Sequence, residues 1–410
     1  MTMATPTPGN PTESDQTPDT VASRSLPIAS RSIPIAIRES SPIHWAVRTS
    51  GVVILALIAL YVAGHAQPST LGSVTEACTL AIAAVSLNLL LGYNGQISIG
   101  HSAFAGLAAF TAGYTVNAWK MNPYEALLLG MVLCFLLGLA LGLPALRLKG
   151  PYLALVTLAV AFVWPTVAAK FLDKKVKKSS LTGTKLKPPT WTGLTNTRAD
   201  SALYLYWLAI VVLVLAYIVV RNLRKSRIGR SLVAVRDNET AAAVMGVNLK
   251  FTKTVTFGVS AAIAGASGWL TAARLTTLDK SSFTILTAIT YLLALFLGGA
   301  ATSTGPIVGA FVYFFVNDYL KNHAPGWHWL PGPLSKGPVA PFLLGVLVIA
   351  FVFVAPFGLV GFIKDQVRRI FVIAPRPLRQ AGASVDLVPD STEAGAGEQT
   401  QIENSKGSTP

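Results

Sequence analysis

Few side chains in this sequence can do chemistry. Its apolar stretches hold four ionisable groups of interest: Glu76, His101, Glu125 and Asp318. Ionisable residues inside a membrane mark ion and proton paths, but Glu76, Glu125 and Asp318 fall at the ends of apolar runs, where a charge reaches water. No carboxylate pair sits in the middle of a run, which argues against proton or sodium coupling, although sodium sites can be built from backbone carbonyls. A phosphate-binding loop of the Walker A type, a His-Glu-x-x-His metal motif and a Gly-x-Ser-x-Gly elbow are all missing from the sequence. Cys78 and Cys134 lie within apolar runs and read as small packed side chains rather than a disulfide or metal pair. The residues predict no enzyme, no metal site and no cofactor.

Two polar segments remain. Residues 87–104 place Asn88, Gly92, Tyr93, Asn94, Gln96, Ser98, Gly100, His101 and Ser102 between two apolar runs. Irregular polar backbone at membrane depth is tolerated where protein buries it or where it lines a cavity. One reading is a break that lines a pathway; the other, simpler one is a tight cytoplasmic turn whose side chains cap helix ends. His101 by itself reads as a hydrogen-bonded structural histidine. The second segment, 221–253, holds Asp237, Asn238, Glu239, three alanines from 241 to 243, and Gly246. Asp237 or Asn238 can cap a short helix, alanine propagates it and glycine ends it. Such a helix below the membrane suits the grip of a soluble partner better than a lipid anchor, for it is more polar and alanine-rich than anchoring needs.

The elements that position these segments follow from charge-free runs. Residues 77–119 and 281–317 contain no Lys, Arg, Asp or Glu. About 20 residues of helix cross a bilayer, so each run holds two crossings. The first is broken near 92–96 and the second at 298–306. Further spans fall at 49–75, 126–146, 150–169, 201–220, 254–273 and 337–363, which makes about ten. Of the 410 residues 52% are hydrophobic and only 12% charged, and continuous apolar runs favour helices over barrel strands. The expected fold is all-α, a polytopic integral membrane protein. The net charge of +15 collects at the edges of the runs, where it meets membrane lipids and sets orientation. Nucleic acid is not an expected partner.

Lys and Arg in short loops place the N-terminus inside. Residues 1–44 read as a disordered cytoplasmic tail, 45–370 as the transmembrane domain with a loop at 222–252, and 371–410 as a second disordered cytoplasmic tail. Seven lysines between 170 and 187 go against the count. The inside loops outvote them, and that loop is expected outside. The small residues of the seventh span, from Gly258 to Gly268, read as close helix packing, within the chain or between subunits.

At these residues the chain resembles the permeases of branched-chain amino acid ABC importers, the LivM type. Four pieces carry the resemblance: 88–93 with 98–104; 146–154; 229–246 with Gly229, Arg230, Ser231, Arg236, Glu239, Ala241, Ala242 and Gly246; and Gly298, Gly299, Gly305, Pro306, Gly309 and Ala310 with 356–359. The sequence departs from the family at 181–189, and Ala300-Ala301 stand in its Gly-Gly-x-Gly pattern. The resemblance implies an ABC importer permease fold in the plasma (inner) membrane. It also implies a second permease subunit, two cytoplasmic ATPase subunits and an extracellular substrate-binding protein. Arg230, Arg236, Glu239, Ala242 and Gly246 would couple to the ATPase. Asn88, Gly92, Tyr93, Ser98, Gly100 and His101 would form the helix break. Urea and short-chain amide permeases share the family, so the solute stays open. The competing classes are an ion-coupled secondary transporter and a membrane-embedded enzyme, and the latter lacks a polar cluster at either face.

Overall fold

The computed structural model describes residues 35–38, 53, 56–145, 151–168, 170, 186, 188–189, 197–275, 277–323, 339–355 and 358–374. Helix α1 spans Ala56–His65. Then come α2, Pro68–Leu87, extended by a π-helical turn Asn88–Tyr93; α3, His101–Ala118; α4, Pro123–Ala145; and α5, Pro151–Val167. After the 170–197 connection lie α6, Arg198–Lys225; α7, Arg227–Asp237; α8, Glu239–Val244; and α9, Leu249–Arg274. A 3-10 turn, Lys280–Phe283, leads into α10, Ile285–Gly298, then α11, Gly305–His323; α12, Val339–Val354; and α13, Gly358–Ile370. Two four-residue strands, β1 (Ile35–Arg38) and β2 (Phe371–Ala374), pair in parallel and tie the flanks of the bundle together. They fall inside the two segments read as tails; most of the rest of those tails lies outside the described residues.

Among the described residues five helical stretches are long and apolar enough to cross a bilayer: Pro68–Tyr93, Pro123–Leu143, Arg198–Lys225, Leu249–Arg274 and Ser281–Gly298. Ala56–His65 and Tyr152–Val167 are shorter apolar helices. Alpha-helix is the expected solution, because its backbone groups are satisfied within the segment. The most buried of these stretches are Pro68–Tyr93 and Leu249–Arg274, which form the centre, while α4 and α6 turn leucine and valine outward.

The small residues of α9 pack within the chain. A Cβ on Gly268 would meet the backbone of Ala105 in α3, and one on Gly138 of α4 would meet Gly258 and Ala261. Helices α3, α4 and α9 therefore approach backbone to backbone, the arrangement that dispersion forces reward in lipid. The inter-subunit alternative for this stripe does not hold, since its partners are α3 and α4.

The last apolar run divides. Its membrane part ends with α12, and α13 starts afresh at Gly358, whose φ is +73°. Residues 358–363, read above as the end of a tenth span, belong to a separate amphipathic helix. Its first turn packs on the turn between α10 and α11, where a Cβ on Gly358 would overlap Gly299. Leu359, Val360 and Ile363 recur at helical spacing on one side of it.

Candidate functional site: the glycine-rich end of the bundle

The break after α2 is longer than a tight turn. Helix α2 runs on as a π turn to Tyr93, and residues 95–100 are non-helical, with Gly95 at φ +71°, before α3 begins at His101. No side chain caps the π turn or the start of α3, so the capping turn expected from sequence is not what forms. Instead Asn88, Asn94, Gln96, Ser98 and His101 are all buried. The Ile99 N–H donates to Thr157 Oγ1 of α5 at 3.0 Å, and Asn94 Nδ2 donates to Gln96 Oε1 at 2.8 Å. Gly100 fits flush against the Thr157 carbonyl.

His101 ties three helices together. The Ser260 hydroxyl of α9 donates to the Ser86 carbonyl of α2 at 2.6 Å. Its oxygen is left to accept, so His101 Nε2, at 2.8 Å, carries the proton. His101 Nδ1 then accepts from the Ser98 hydroxyl at 3.2 Å. Ser260 stands eleven residues into α9, about 16 Å along its axis, so α3 begins beside the middle of α9 and irregular backbone precedes it. Both ring nitrogens are satisfied, which is the structural histidine that the sequence suggested.

Asn88 and Gly92 anchor the second break. Asn88 Oδ1 accepts from the Ala301 N–H at 2.8 Å, and its Nδ2 donates to the Thr302 carbonyl at 2.9 Å. Gly92 must be glycine, because a Cβ there would stand 2.6 Å from the Ala301 nitrogen. Residues 299–304 form a tight turn. Gly299 has φ +106° and Ala301 φ +63°, and Thr302 Oγ1 bonds both the Gly299 carbonyl and the Gly305 N–H, at 2.8 and 3.0 Å. Arg224, in the last turn of α6, donates to Ser303 Oγ at 2.6 Å and lies over the Tyr93 ring, 5.5 Å from its centroid.

The 222–252 loop docks on the same knot. Arg236 of α7 donates to the Gly92 carbonyl at 2.9 Å and pairs with Asp237 at 2.8 Å. Asn238 Oδ1 caps α8 by accepting from the Ala241 N–H at 3.0 Å. Beyond α8 the Val247 N–H reaches the Ala242 carbonyl and the Gly246 N–H the Ala243 carbonyl, each at 3.0 Å. That pair of bonds, with Gly246 at φ +82°, is a Schellman stop. Both sequence signals for this short helix are met.

Of the residues assigned to coupling, Arg230 and Gly246 are exposed, Ala242 is buried against the bundle, Arg236 faces the break, and Glu239 pairs with Lys253 at 2.5 Å. Val244 and Met245, 82% and 83% exposed, form an apolar tip that the sequence reading missed. Their signal was present, as large apolar residues between a capped alanine turn and a terminating glycine. The reading also missed Lys253, Ser260 and Arg224, whose partners lie far along the chain or in another element.

The opposite end has different chemistry. Arg274 meets Glu76 at 3.0 Å, Trp269 Nε1 donates to the Pro123 carbonyl at 2.9 Å, and Tyr124 and Tyr204 share a hydroxyl contact. An open depression of about 710 Å³ lies there, lined by Val116, Trp119, Lys120, Met121, Asn122, Pro123 and Glu125. Trp164 of α5 stacks edge-on with Phe110, which meets Phe283 of the 3-10 turn. The C-terminal part of α5 therefore lies at this end, away from α8. Most lysines of the 170–197 connection lie outside the described residues.

Together these features define a helical membrane protein whose polar backbone breaks converge at one end beneath an exposed helical knob. The chain belongs to the family described as branched-chain amino acid transport system / permease component, whose profile matches residues 69–355. It is 24% identical over 337 residues to the high-affinity branched-chain amino acid transport system permease protein LivM of Escherichia coli K12, and 25% identical to that of Salmonella typhimurium LT2. Each alignment covers 77% of this chain and 76% of the relative. A probable branched-chain amino acid transport permease protein LivM of Methanocaldococcus jannaschii is 24% identical over 292 residues, 68% of this chain and 81% of that one. No solved structure matches the chain.

Proposed function

We propose that this chain forms half of the translocation pathway of an ATP-driven importer for branched-chain amino acids or related small polar solutes. A second permease subunit completes the pathway, two cytoplasmic ATPase subunits drive it, and an extracellular binding protein delivers the solute. The observation that carries this reading is the knob itself. Val244 and Met245 project from α8 while Arg236 ties its base to Gly92, an exposed apolar handle joined to a helix break. Large exposed apolar side chains beside a polar rim suit a protein partner. The sequence has no phosphate-binding loop, so nucleotide energy comes from another polypeptide. Among the described residues no Asp or Glu is buried, which favours ATP over an ion gradient as the driving force. The β1–β2 ribbon supports termini on one side of the membrane, and the basic loops make that side the cytoplasm of a cell whose plasma membrane holds the protein.

The test is transport in proteoliposomes. The chain alone is expected to be inert. With its partner permease, ATPases and binding protein, uptake should require ATP on the ATPase side and ignore a protonophore. Competition among leucine, urea and a short-chain amide then names the solute. Concentrative uptake by the chain alone, without nucleotide, overturns the reading.

A further inference from the structure

We propose that Glu239 and Lys253 form a strut that carries motion of the α8 knob into α9, so that Glu239 acts inward as a positioning residue rather than outward on the ATPase. This rests on the permease reading above and deepens it.

Lys253 stands at an expensive place. Its side chain is 8% exposed, and it lies near the start of α9, where the helix dipole disfavours a cation. Burying an ammonium group is costly unless a counter-charge accompanies it. Glu239, the first residue of α8, supplies that charge at 2.5 Å while remaining 44% exposed. Among the described residues Lys253 has no other carboxylate within ion-pair distance, and no other Lys or Arg is buried.

Helix α8 has six residues, too few to hold a fixed direction by itself. A short turn through Gly246 joins it to α9. Buried Ala242 and the ion pair hold it against the bundle. Two turns beyond Lys253, Ser260 of α9 bonds Ser86 and His101. A displacement of Val244 and Met245 thus reaches the break by two routes. One runs through Arg236 to Gly92, and the other through Glu239 and Lys253 along α9 to His101. The first holds the end of α7, at the base of α8; the second turns α9.

The experiment uses the complete transporter in proteoliposomes and reads three quantities: ATPase co-purification, ATP hydrolysis and solute moved per ATP. Glu239→Gln and Lys253→Met should both keep the ATPases bound and hydrolysing while transport per ATP falls about tenfold, within the usual range of inter-site coupling. The reversed pair, Glu239→Lys with Lys253→Glu, should recover most of it. Lys253→Met puts an apolar side chain of similar length in a buried place, so it provides a folded variant if the reversed pair does not insert. Loss of ATPase co-purification in Glu239→Gln but not in Lys253→Met overturns the strut, since Glu239 would then touch the ATPase. Unchanged transport per ATP in both single variants overturns it too. A wild-type complex without ATP-driven uptake overturns the permease reading itself, and the strut with it.

Discussion

The two ends of this bundle are held by different means. At the α8 end, backbone is clamped to backbone through polar side chains: buried Asn88 on 301–302, buried His101 with Ser260 on Ser86, and half-buried Arg236 on Gly92. At the far end, aromatic rings and a half-exposed ion pair, Glu76 with Arg274, do the holding. Polar groups shut away from water and lipid are expensive to leave unpaired, so the first end is specified position by position.

The sharpest way to break the contrast is Gly92→Leu. Its side chain would need the space of the Ala301 backbone and of Asn88 Oδ1, and backbone cannot yield as a flexible side chain can. The expected loss is about 3 kcal/mol, at the upper end for overpacking, because the Asn88 bonds to Ala301 and Thr302 go as well. Thermal unfolding of the purified protein in detergent measures it. A variant as stable as the wild type would mean that the two breaks are not in contact.

How much of this was legible in the sequence depends on the range of the interaction. The caps of α8 were legible, because Asn238 and Gly246 act within four residues of themselves. The break at 298–306 was legible because glycine and proline interrupt an uncharged run. The end of the last span was misread, because Phe362 and Ile363 extend the apolar composition past a turn that Gly358 makes. The long-range clamps left no local mark. Asn88 and Ala301 are 213 positions apart, and His101 and Ser260 are 159 apart. Lys253 looked like any lysine at the rim of a membrane helix. What hides it from sequence is burial, which depends on the packing of α8 and α9.

A second, smaller test works in the stabilising direction. Ala301 sits where the family's Gly-Gly-x-Gly pattern has its last glycine, and it adopts φ +63°. A Cβ in the left-handed region costs roughly 1–2 kcal/mol, and glycine returns part of that gain through its freer unfolded chain. Ala301→Gly should therefore stabilise the protein by about 0.5–1 kcal/mol in the same melt. A destabilised variant would mean that the Ala301 methyl group makes contacts worth more than the strain, and that this turn has been rebuilt around alanine.

The smallest expected effect lies at the far end and provides the control for the strut. Glu76→Gln removes the carboxylate that meets Arg274, just as Glu239→Gln removes the one that meets Lys253. The local settings differ: the far-end pair is 46% and 27% exposed, against 44% and 8% at the knob. The Arg274 side chain is 27% exposed, more than three times as much as that of Lys253, and lies in the last turn of α9, where the helix dipole favours a cation. An accessible pair is worth about 0–1 kcal/mol, so Glu76→Gln should leave both the melting temperature and the solute moved per ATP close to wild type. Were it to uncouple transport as strongly as Glu239→Gln, then α9 would be answering to the loss of any ion pair along its length, and the difference between the two ends would vanish.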